Sequence, residues 1–377
     1  MNDAVFFFGR LMEPELRAVV LGVPLPGTPA RLCGQIPVAA GGLGHGAGLQ
    51  DRAGEDVCGL LFELTTLQMA RLERYMAAAG AQRVTVMPEC CGRHQSAWAY
   101  LPGAAVSGER PQPWCFEVWQ ARHARASCLA AREVMAITED APDSALRARW
   151  AMAHSHAGAR LRAAAEPAPS VIRDAWPRAA IDTEQERRPY NYFFSVAETD
   201  LRFRRFDGSW SPPVRRAGFV MSDAVTVLPY DPRRDRVLLI EQFRFGPWLR
   251  GAENCWLLEP IAGRIDAGET PQETALREAL EEARLVIAED DLVQVSGSYP
   301  SPGAVSEFIF HFVALCDLPD GVEGVAGLET EAEDIRSHLL PFDQLMELVA
   351  TGEVQNGPLV LSAYWLALHR PRLRAET

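Results

Sequence analysis

The amino-acid sequence predicts a two-domain protein of the α/β class, on the basis of its length and of two patterns of apolar residues. A chain of 377 residues exceeds the size at which one hydrophobic core stops growing, and typical domains contain about 100–200 residues. Short apolar runs typical of strands alternate with segments whose apolar residues recur at helical intervals. A proline-containing stretch, Glu166-Pro-Ala-Pro-Ser170, interrupts this alternation and predicts the linker.

The N-terminal half is predicted to form one mixed unit followed by two helices. Its predicted elements are a strand, a Gly9 turn and a helix from Pro14 within Val5–Leu21, a flexible loop at Ala39–Leu49, strands at Val57–Leu64, Val84–Met87 and Ala97–Leu101, and a helix at Leu67–Ala79. Two Ala- and Arg-rich segments, 117–137 and 141–165, have the spacing of helices that pack against this unit. His154 and His156 lie two residues apart, so they are predicted to point to different helix faces and to be solvated.

The C-terminal half is predicted to contain more strands. The predicted elements are strands at Tyr190–Phe206, Phe219–Leu228 and Arg236–Glu241, a helix at Pro271–Leu285, further strands, and a closing helix at Gly357–Leu368.

Composition excludes several classes of function. The net charge of −13 argues against nonspecific binding to nucleic acid or to an anionic membrane, because both attract basic surfaces. Apolar runs fall short of the ~20 residues of a membrane span, and the N-terminus lacks the pattern of a signal peptide. The eight cysteines form no CxxC pair, which argues against a zinc cage or a disulfide framework. We therefore expect a cytoplasmic protein.

The segment Gly263-Arg-Ile-Asp-Ala-Gly-Glu269 and the helix after it carry the strongest chemical signal. Thr270 and Glu273 have the spacing of a capping box, and Pro271 occupies the first helical position, so the start of the helix is fixed. Spacings of three and four then place the carboxylates on one helix face. These carboxylates belong to Glu278, Glu281 and Glu282.

Clustered like charges favour the binding of a hard divalent cation. Magnesium takes oxygen ligands and pairs with substrate phosphates, and manganese is a possible substitute. Glu269 and Arg277 are placed to orient the cluster through hydrogen bonds. The alternative is a solvated helix face on which acids happen to cluster.

The whole pattern resembles the Nudix box: a glycine, five residues, a glutamate, seven residues, then Arg-Glu, an apolar residue, any residue and Glu-Glu. Every charged position matches. The departure is Arg284, where that family usually has glycine near the helix end. A residue other than glycine is expected to cost about 1 kcal/mol there if the backbone has a positive φ.

From about Pro189 to His369 the chain resembles bacterial ADP-ribose pyrophosphatases, through segments such as Trp256-Leu-Leu-Glu-Pro-Ile-Ala-Gly and Ser301-Pro-Gly-Ala-Val-Ser-Glu307. The resemblance implies a Nudix α/β/α sandwich and a homodimer formed through it, with Tyr190–Phe206 completing the dimer. The implied metal ligands are Glu278, Glu282, Glu333 and the carbonyl of Ala262. The implied catalytic residues are Glu331, as general base, and Glu281, and the implied substrate-binding residues are Phe193, Arg216, Arg244 and Glu307.

Ordinary structural roles compete with some of these assignments. The acidic stretch Glu329–Asp334 is also typical of a mobile, solvated loop, and arginines such as Arg216 often form weak surface ion pairs. Phe193 fits a core position as well as an adenine-stacking one.

Hydrolysis of ADP-ribose to AMP and ribose 5-phosphate is the implied activity, on a small-molecule nucleotide substrate. The resembled subgroup tends to have a glutamate where this chain has Ala217, so a dinucleotide or sugar nucleotide is an alternative substrate. A third hypothesis is a sensor that binds ADP-ribose with weak turnover.

The first domain resembles the gamma-glutamylcyclotransferase-like family through Phe6-Phe-Phe-Gly-Arg-Leu-Met12 and Val57-Cys-Gly-Leu-Leu-Phe-Glu-Leu64. The resemblance implies a small mixed β-barrel. The family's acid/base glutamate aligns with Met76, which cannot transfer a proton, and Phe8 and Arg10 replace the residues expected in the first loop. We therefore predict the fold without that activity. The same two-domain pairing resembles bacterial tellurite-resistance Nudix proteins.

The predicted domain boundaries are residues 1–125 for the cyclotransferase-like domain, 126–180 for a helical connector and linker, and 181–377 for the Nudix domain.

Overall fold

A computed structural model describes residues 3–40, 46–103, 112–137, 141–167, 171–191, 194–327 and 333–376. Its contacts divide the chain into two compact units, Met1–Val214 and Arg215–Thr377. The sequence patterns predict that the second domain begins at residue 181, whereas these contacts assign residues 181–214 to the first unit.

The first unit contains a curled sheet of seven described strands in the order β4-β7-β1-β3-β2-β5-β6. The bounds are β1 Asp3–Phe7, β2 Thr28–Ala40, β3 Gly46–Leu64, β4 Ala81–Val86, β5 Glu89–Cys90, β6 Arg93–His94 and β7 Ala97–Pro102. Strand β1 runs antiparallel to β3 and parallel to β7. The prediction of a flexible loop at Ala39–Leu49 is wrong at both ends, because Ala39 and Ala40 pair with Ala47 and Gly46 in a long β2–β3 hairpin.

Four helices accompany this sheet: α1 Pro14–Leu21, α2 Thr66–Ala78, α3 Phe116–Met135 and α4 Asp143–Ala165. Helix α2 starts at a capping box in which Thr65 and Gln68 exchange side-chain and backbone hydrogen bonds. Apolar residues of α1, α2 and α3 pack with those of β1 and β3 in one core. The two predicted Ala- and Arg-rich helices are confirmed to within two residues.

A buried polar network joins α3 and α4 to a hairpin formed by β8 (Ile181–Asn191) and β9 (Ser195–Phe203). Arg149 is only 1% exposed and donates to Glu133 at 3.3 Å and to Ser195 at 2.7 Å. His156 contacts the same Glu133 oxygen at 2.8 Å. The network explains why the hairpin belongs to the first unit.

The prediction that His154 and His156 are solvated is wrong, since they are 2% and 1% exposed. They do lie on different faces of α4, but that helix packs against both α2 and α3, so more than one of its faces is buried. The His154 ring contacts the carbonyl of Trp150 at 2.9 Å.

The second unit contains a mixed sheet whose described strands follow the order β15-β16-β11-β12-β18-β17, with β13 paired to β12 and β14 to β11. The bounds are β10 Val214–Val220, β11 Ala224–Asp231, β12 Arg236–Phe243, α5 Phe245–Arg250, β13 Trp256–Glu259, β14 Ile261–Arg264, α6 Pro271–Ala283, β15 Leu292–Ser298, β16 Ile309–Leu315, β17 Val325–Ala326, β18 Ile335–Pro341, α7 Phe342–Thr351 and α8 Gly357–Ala375. Strands β11 and β16 are parallel, and β12 is antiparallel to β18.

Helices cover both faces of this sheet, so the predicted α/β/α sandwich is confirmed. Alternate residues of a strand point to opposite faces: Leu238 and Ile240 of β12 pack with α6, whereas Val237 and Leu239 pack with α7 and α8. Helix α6 therefore covers one face of the sheet, and α7 and α8 cover the other. Within the described residues, no helix is long and apolar enough to cross a membrane.

Helix α6 ends at Arg284, which adopts the left-handed conformation with φ of 56°. The amide of Leu285 donates to the carbonyl of Ala279 at 2.9 Å, a bond typical of a helix ending that favours glycine. The conformation expected for this departure from the Nudix box is thus present.

Replacement of Arg284 by glycine is expected to raise the free energy of unfolding of the second unit by about 1 kcal/mol, because glycine adopts a positive φ without steric cost. Urea denaturation measures the change. The control is Arg284→Ala, which keeps a Cβ and should leave stability nearly unchanged. Equal stabilisation by alanine would show that the arginine side chain, and not its backbone conformation, is responsible.

Candidate active site

The start of α6 has the geometry that the sequence predicts. Thr270 Oγ1 accepts a hydrogen bond from the amide of Glu273 at 3.2 Å, and Glu273 Oε2 accepts one from the amide of Thr270 at 2.8 Å. Pro271 occupies the first turn. Because these local bonds fix the first turn, they also fix which helix face the later glutamates occupy.

Arg277 holds the glutamates of α6 together. Its Nη1 donates to Glu278 Oε1 at 2.6 Å and to Glu281 Oε2 at 3.1 Å. Its Nε and Nη2 donate to the two oxygens of Glu269 at 2.9 and 3.0 Å. Partial burial disfavours the charge of Arg277, but the bonds to Glu269 and Glu278 outweigh it and raise the pKa of the guanidinium. Arg277 thus offsets the repulsion among three carboxylates.

Glu282 and Glu278 are the two glutamates of α6 whose charges are most disfavoured. Glu282 is 3% exposed, and burial raises its pKa to about 8, against the hydrogen bond that it accepts from the amide of Ala262 at 2.9 Å. Burial likewise raises the pKa of Glu278 to about 7, against the attraction of Arg277. Negative charge on Glu333 contributes to both shifts. The three carboxylates are therefore close enough for their negative charges to repel one another.

Gly263 is required where β14 passes beneath α6. A Cβ built on Gly263 would lie 1.8 Å from Glu278 Oε1 and 2.5 Å from its Cγ. No side chain fits in that space while Glu278 keeps its position. The first glycine of the box therefore allows the carboxylate to lie directly against the backbone of the strand.

Arg244 and Glu259 form a two-pronged ion pair beside this cluster. Arg244 Nε donates to both oxygens of Glu259 at 3.0 and 2.9 Å, and Nη2 donates to Oε2 at 2.5 Å. Glu259 is 3% exposed, and the paired arginine offsets the hydration that a buried carboxylate loses. Glu282 and Glu333 also act electrostatically on Arg244, which places the guanidinium beside the predicted metal ligands.

Glu307 lies in the same neighbourhood. Burial raises the pKa of its carboxyl, the negative charge of Asp223 raises it further, and Arg244 lowers it. The predicted residues Glu278, Glu281, Glu282, Glu333, Arg244 and Glu307 are thus brought together with the backbone of Ala262.

Three of the predicted residues are not placed at this cluster. Arg216 is exposed on β10, and the hydrogen bond described for it is a local one to the carbonyl of Arg215 at 3.4 Å. Phe193 and Glu331 lie outside the described residues.

The donor set suits a hard divalent cation. Carboxylate oxygens and a backbone carbonyl are the ligands that magnesium prefers, and the pKa values of Glu278 and Glu282 are raised by burial first and by neighbouring carboxylates second. Among the described residues, no three acidic, histidine or cysteine side chains already form a ligand group. Arg277 and the Ala262 amide instead occupy oxygens of Glu278 and Glu282.

The sequence patterns indicated no role for Glu259, although its segment carries part of the family resemblance. A usable signal was present, because a glutamate that ends the apolar strand Trp256–Glu259 needs a cationic partner if that strand is buried. The identity of the partner, Arg244 on the neighbouring β12–α5 connection, depends on the pairing of β12 with β13.

Comparison with protein families identifies both halves of the chain. A family model described as NUDIX domain matches residues 221–361. A second model, described as Gamma-glutamyl cyclotransferase, AIG2-like, matches residues 5–120.

Curated relatives match up to about half of the chain. An ADP-ribose pyrophosphatase of Escherichia coli is 38% identical over 187 residues, which are 50% of this chain and 88% of that protein. One of Haemophilus influenzae is 33% identical over 191 residues, 50% of this chain and 87% of that protein. A GDP-mannose pyrophosphatase of Escherichia coli is 34% identical over 154 residues, 41% of this chain and 78% of that protein.

Replacement of Gly263 by alanine is expected to displace Glu278 and to lower the free energy of unfolding by about 1–3 kcal/mol, the usual cost of overpacking. Urea denaturation measures the change, and a crystal structure would show the displaced carboxylate. The control is Gly246→Ala in α5, where an added Cβ meets nothing within 4 Å. A Gly263→Ala variant as stable as the wild type would contradict the close packing of Glu278 on β14.

Proposed function

The chain belongs to the Nudix hydrolase family, and from this premise we propose that it hydrolyses the diphosphate of ADP-ribose to AMP and ribose 5-phosphate. The observation that carries the proposal is the group of buried carboxylates on α6, held by Arg277 and lying against Gly263. The names of relatives that are 38% and 33% identical support the choice of ADP-ribose.

We propose that Glu278, Glu282, Glu333 and the carbonyl of Ala262 hold Mg²⁺, for which Mn²⁺ can substitute. The ion would neutralise the diphosphate charge and acidify a water molecule. Glu278 and Glu282 are suited to this role because burial and mutual repulsion disfavour their negative charges. A bound cation would relieve this repulsion and would also attract an anionic substrate.

Catalysis also needs a base that takes a proton from the attacking water. Glu331 is our proposed base, on the strength of the family resemblance. Glu281 is the second candidate, and it has a defined position, since Arg277 Nη1 donates to its Oε2 at 3.1 Å. That bond fixes the direction of a carboxylate, which is a group that can accept a proton in general base catalysis.

Substrate contacts are proposed for Arg244, Glu307, Arg216 and Phe193. Glu259 accepts hydrogen bonds from Nε and Nη2 of Arg244. The remaining nitrogen, Nη1, is the proposed contact with a phosphate. Glu307 lies close enough to Arg244 for their charges to interact, and its carboxylate is suited to accept hydrogen bonds from ribose hydroxyls. Arg216 is proposed as a phosphate contact and Phe193 as an adenine contact, and both assignments depend on the family resemblance alone.

A sugar nucleotide is the second candidate substrate. A relative named GDP-mannose pyrophosphatase is 34% identical over 154 residues. This chain also has Ala217 where the ADP-ribose subgroup tends to have a glutamate. The methyl side chain of alanine cannot form a hydrogen bond with the edge of a base. The mechanism would be unchanged, while base selectivity would be looser.

We also propose a cytoplasmic homodimer formed through the Nudix domain. The second unit exposes four aromatic side chains around α5 and β13, at 46–58% of their surface: Phe243, Phe245, Trp248 and Trp256. Exposed apolar patches of this kind are typical of association sites. Light scattering is expected to give a mass of twice 41.5 kDa, whereas the mass of one chain would contradict the proposal.

The substrate is tested by steady-state hydrolysis of ADP-ribose, GDP-mannose, NADH and diadenosine compounds, with Mg²⁺ and with chelator, and with products resolved by chromatography. We expect the highest kcat/KM for ADP-ribose, AMP as the product, and no turnover in chelator. Preference for GDP-mannose would move the specificity and keep the mechanism. Binding without turnover of any compound would favour an ADP-ribose sensor.

The metal site is tested by Glu282→Gln, which keeps the shape of the side chain and removes its charge. We expect kcat to fall by about 100-fold or more, the usual effect of removing one electrostatic stabiliser. The matched control is Glu289→Gln, an exposed acid outside the cluster, which should retain full activity. Unchanged turnover in Glu282→Gln would refute the ligand assignment. If Glu331→Gln were fully active while Glu282→Gln was not, the metal assignment would stand and Glu281 would become the proposed base.

A further inference from the structure

The first unit contains a cavity of about 350 Å³ that the proposed Nudix chemistry does not use. It opens beside the first loop after β1 and is bounded by the end of α2, strand β7 and helix α4. Its wall is mainly apolar, from side chains such as Phe8, Met76 and Trp150. A cavity of this size fits a small molecule.

Two arginines line this cavity without an anionic partner among the described residues. The Arg10 guanidinium lies over the rings of Trp150 and Tyr75, at 4.8 and 5.3 Å from their centroids. Arg147 joins it from α4. Because ring faces hold Arg10 by cation–π contacts, its N–H groups stay available around the edge of the guanidinium.

The first loop fixes Arg10 at this place. Gly9 has a φ of 64°, and a Cβ built on it would lie 2.7 Å from the Cβ of Ala47. The chain therefore turns tightly against β3 immediately before Arg10. This arrangement presets the guanidinium, so a ligand would lose little free energy in ordering it.

None of the described residues that line the cavity is acidic. Met76, where the related cyclotransferases have their acid/base glutamate, supplies only apolar surface and is 6% exposed. A γ-glutamyl amine would bring an α-carboxylate, which the two arginines could bind, and an α-ammonium group, which finds no carboxylate among the described lining residues. The cavity thus leaves the ammonium group of that ligand without a counter-charge, and its described lining offers no carboxylate for the proton transfer.

We propose that this cavity binds a small organic anion, a compact apolar body that carries one carboxylate or phosphate. Arg10 and Arg147 bind the anionic group, and the apolar wall formed by Phe8, Met76 and Trp150 covers the body. Binding involves no covalent step. The first unit is then a ligand-binding domain joined to a hydrolase.

Isothermal titration calorimetry on the full-length protein without added metal tests the proposal with three probes of one shape: phenylacetate, phenyl phosphate and 2-phenylethanol. We expect one site per chain for at least one of the two anions, at concentrations up to about 10 mM. The neutral alcohol should bind at least tenfold more weakly, because it cannot form charge-assisted hydrogen bonds. The anion that binds more tightly identifies the natural anionic group.

Variants place the bound anion at the cavity. Arg10→Gln is expected to weaken anion binding by about tenfold or more, and Arg147→Gln, at an exposed position on α4, provides a second variant with little risk to folding. Arg52→Gln removes an exposed arginine that does not line the cavity and should bind as the wild type does. Hydrolysis by the Nudix unit should stay unchanged in all three variants, which shows that they are folded.

Several outcomes would overturn the proposal. The proposal would be wrong if neither anion bound, or if the alcohol bound as tightly as the anions. It would also be wrong if both cavity variants bound the anions as the wild type does. Release of 5-oxoproline from a γ-glutamyl amine would also overturn it, because it would show that the cavity takes the zwitterionic ligand and supplies a proton-transfer group.

Discussion

The ion pairs of Arg277 are the interaction on which the site depends. Three carboxylates on and before α6 would repel one another strongly, and one guanidinium contacts all three of them. The same contacts give each glutamate a fixed direction, because a guanidinium offers its N–H groups in a rigid plane. Electrostatic compensation and positioning are thus achieved by a single side chain.

The sheet of the second unit provides the rigid support for this arrangement. Strand β14 presents both the amide of Ala262 to Glu282 and the Cβ-free surface of Gly263 to Glu278. Strand β13 presents Glu259 to Arg244. Sites on strands and helices are held more precisely than sites on loops, so the proposed cation-binding carboxylates and the proposed phosphate-binding arginine share one framework.

The two units concentrate side chains of opposite charge. In the Nudix site, carboxylates are concentrated and arginines keep them together, so the cluster suits a cation and, through it, an anionic substrate. In the first unit, Arg10 rests on aromatic rings in a cavity whose described lining is free of acids. Although the net charge of the chain is −13, both of these local sites are suited to anionic small molecules.

The sequence by itself determined the features that depend on neighbours along the chain. The capping box at Thr270 and the common face of the α6 glutamates follow from spacings of a few residues, as does the resemblance to the Nudix box. Only the tertiary structure decided the pairing of Glu259 with Arg244, the need for glycine at 263 and the burial of His156. These features join segments that are distant in sequence, and their partners are set by strand register and helix packing, which no local spacing encodes.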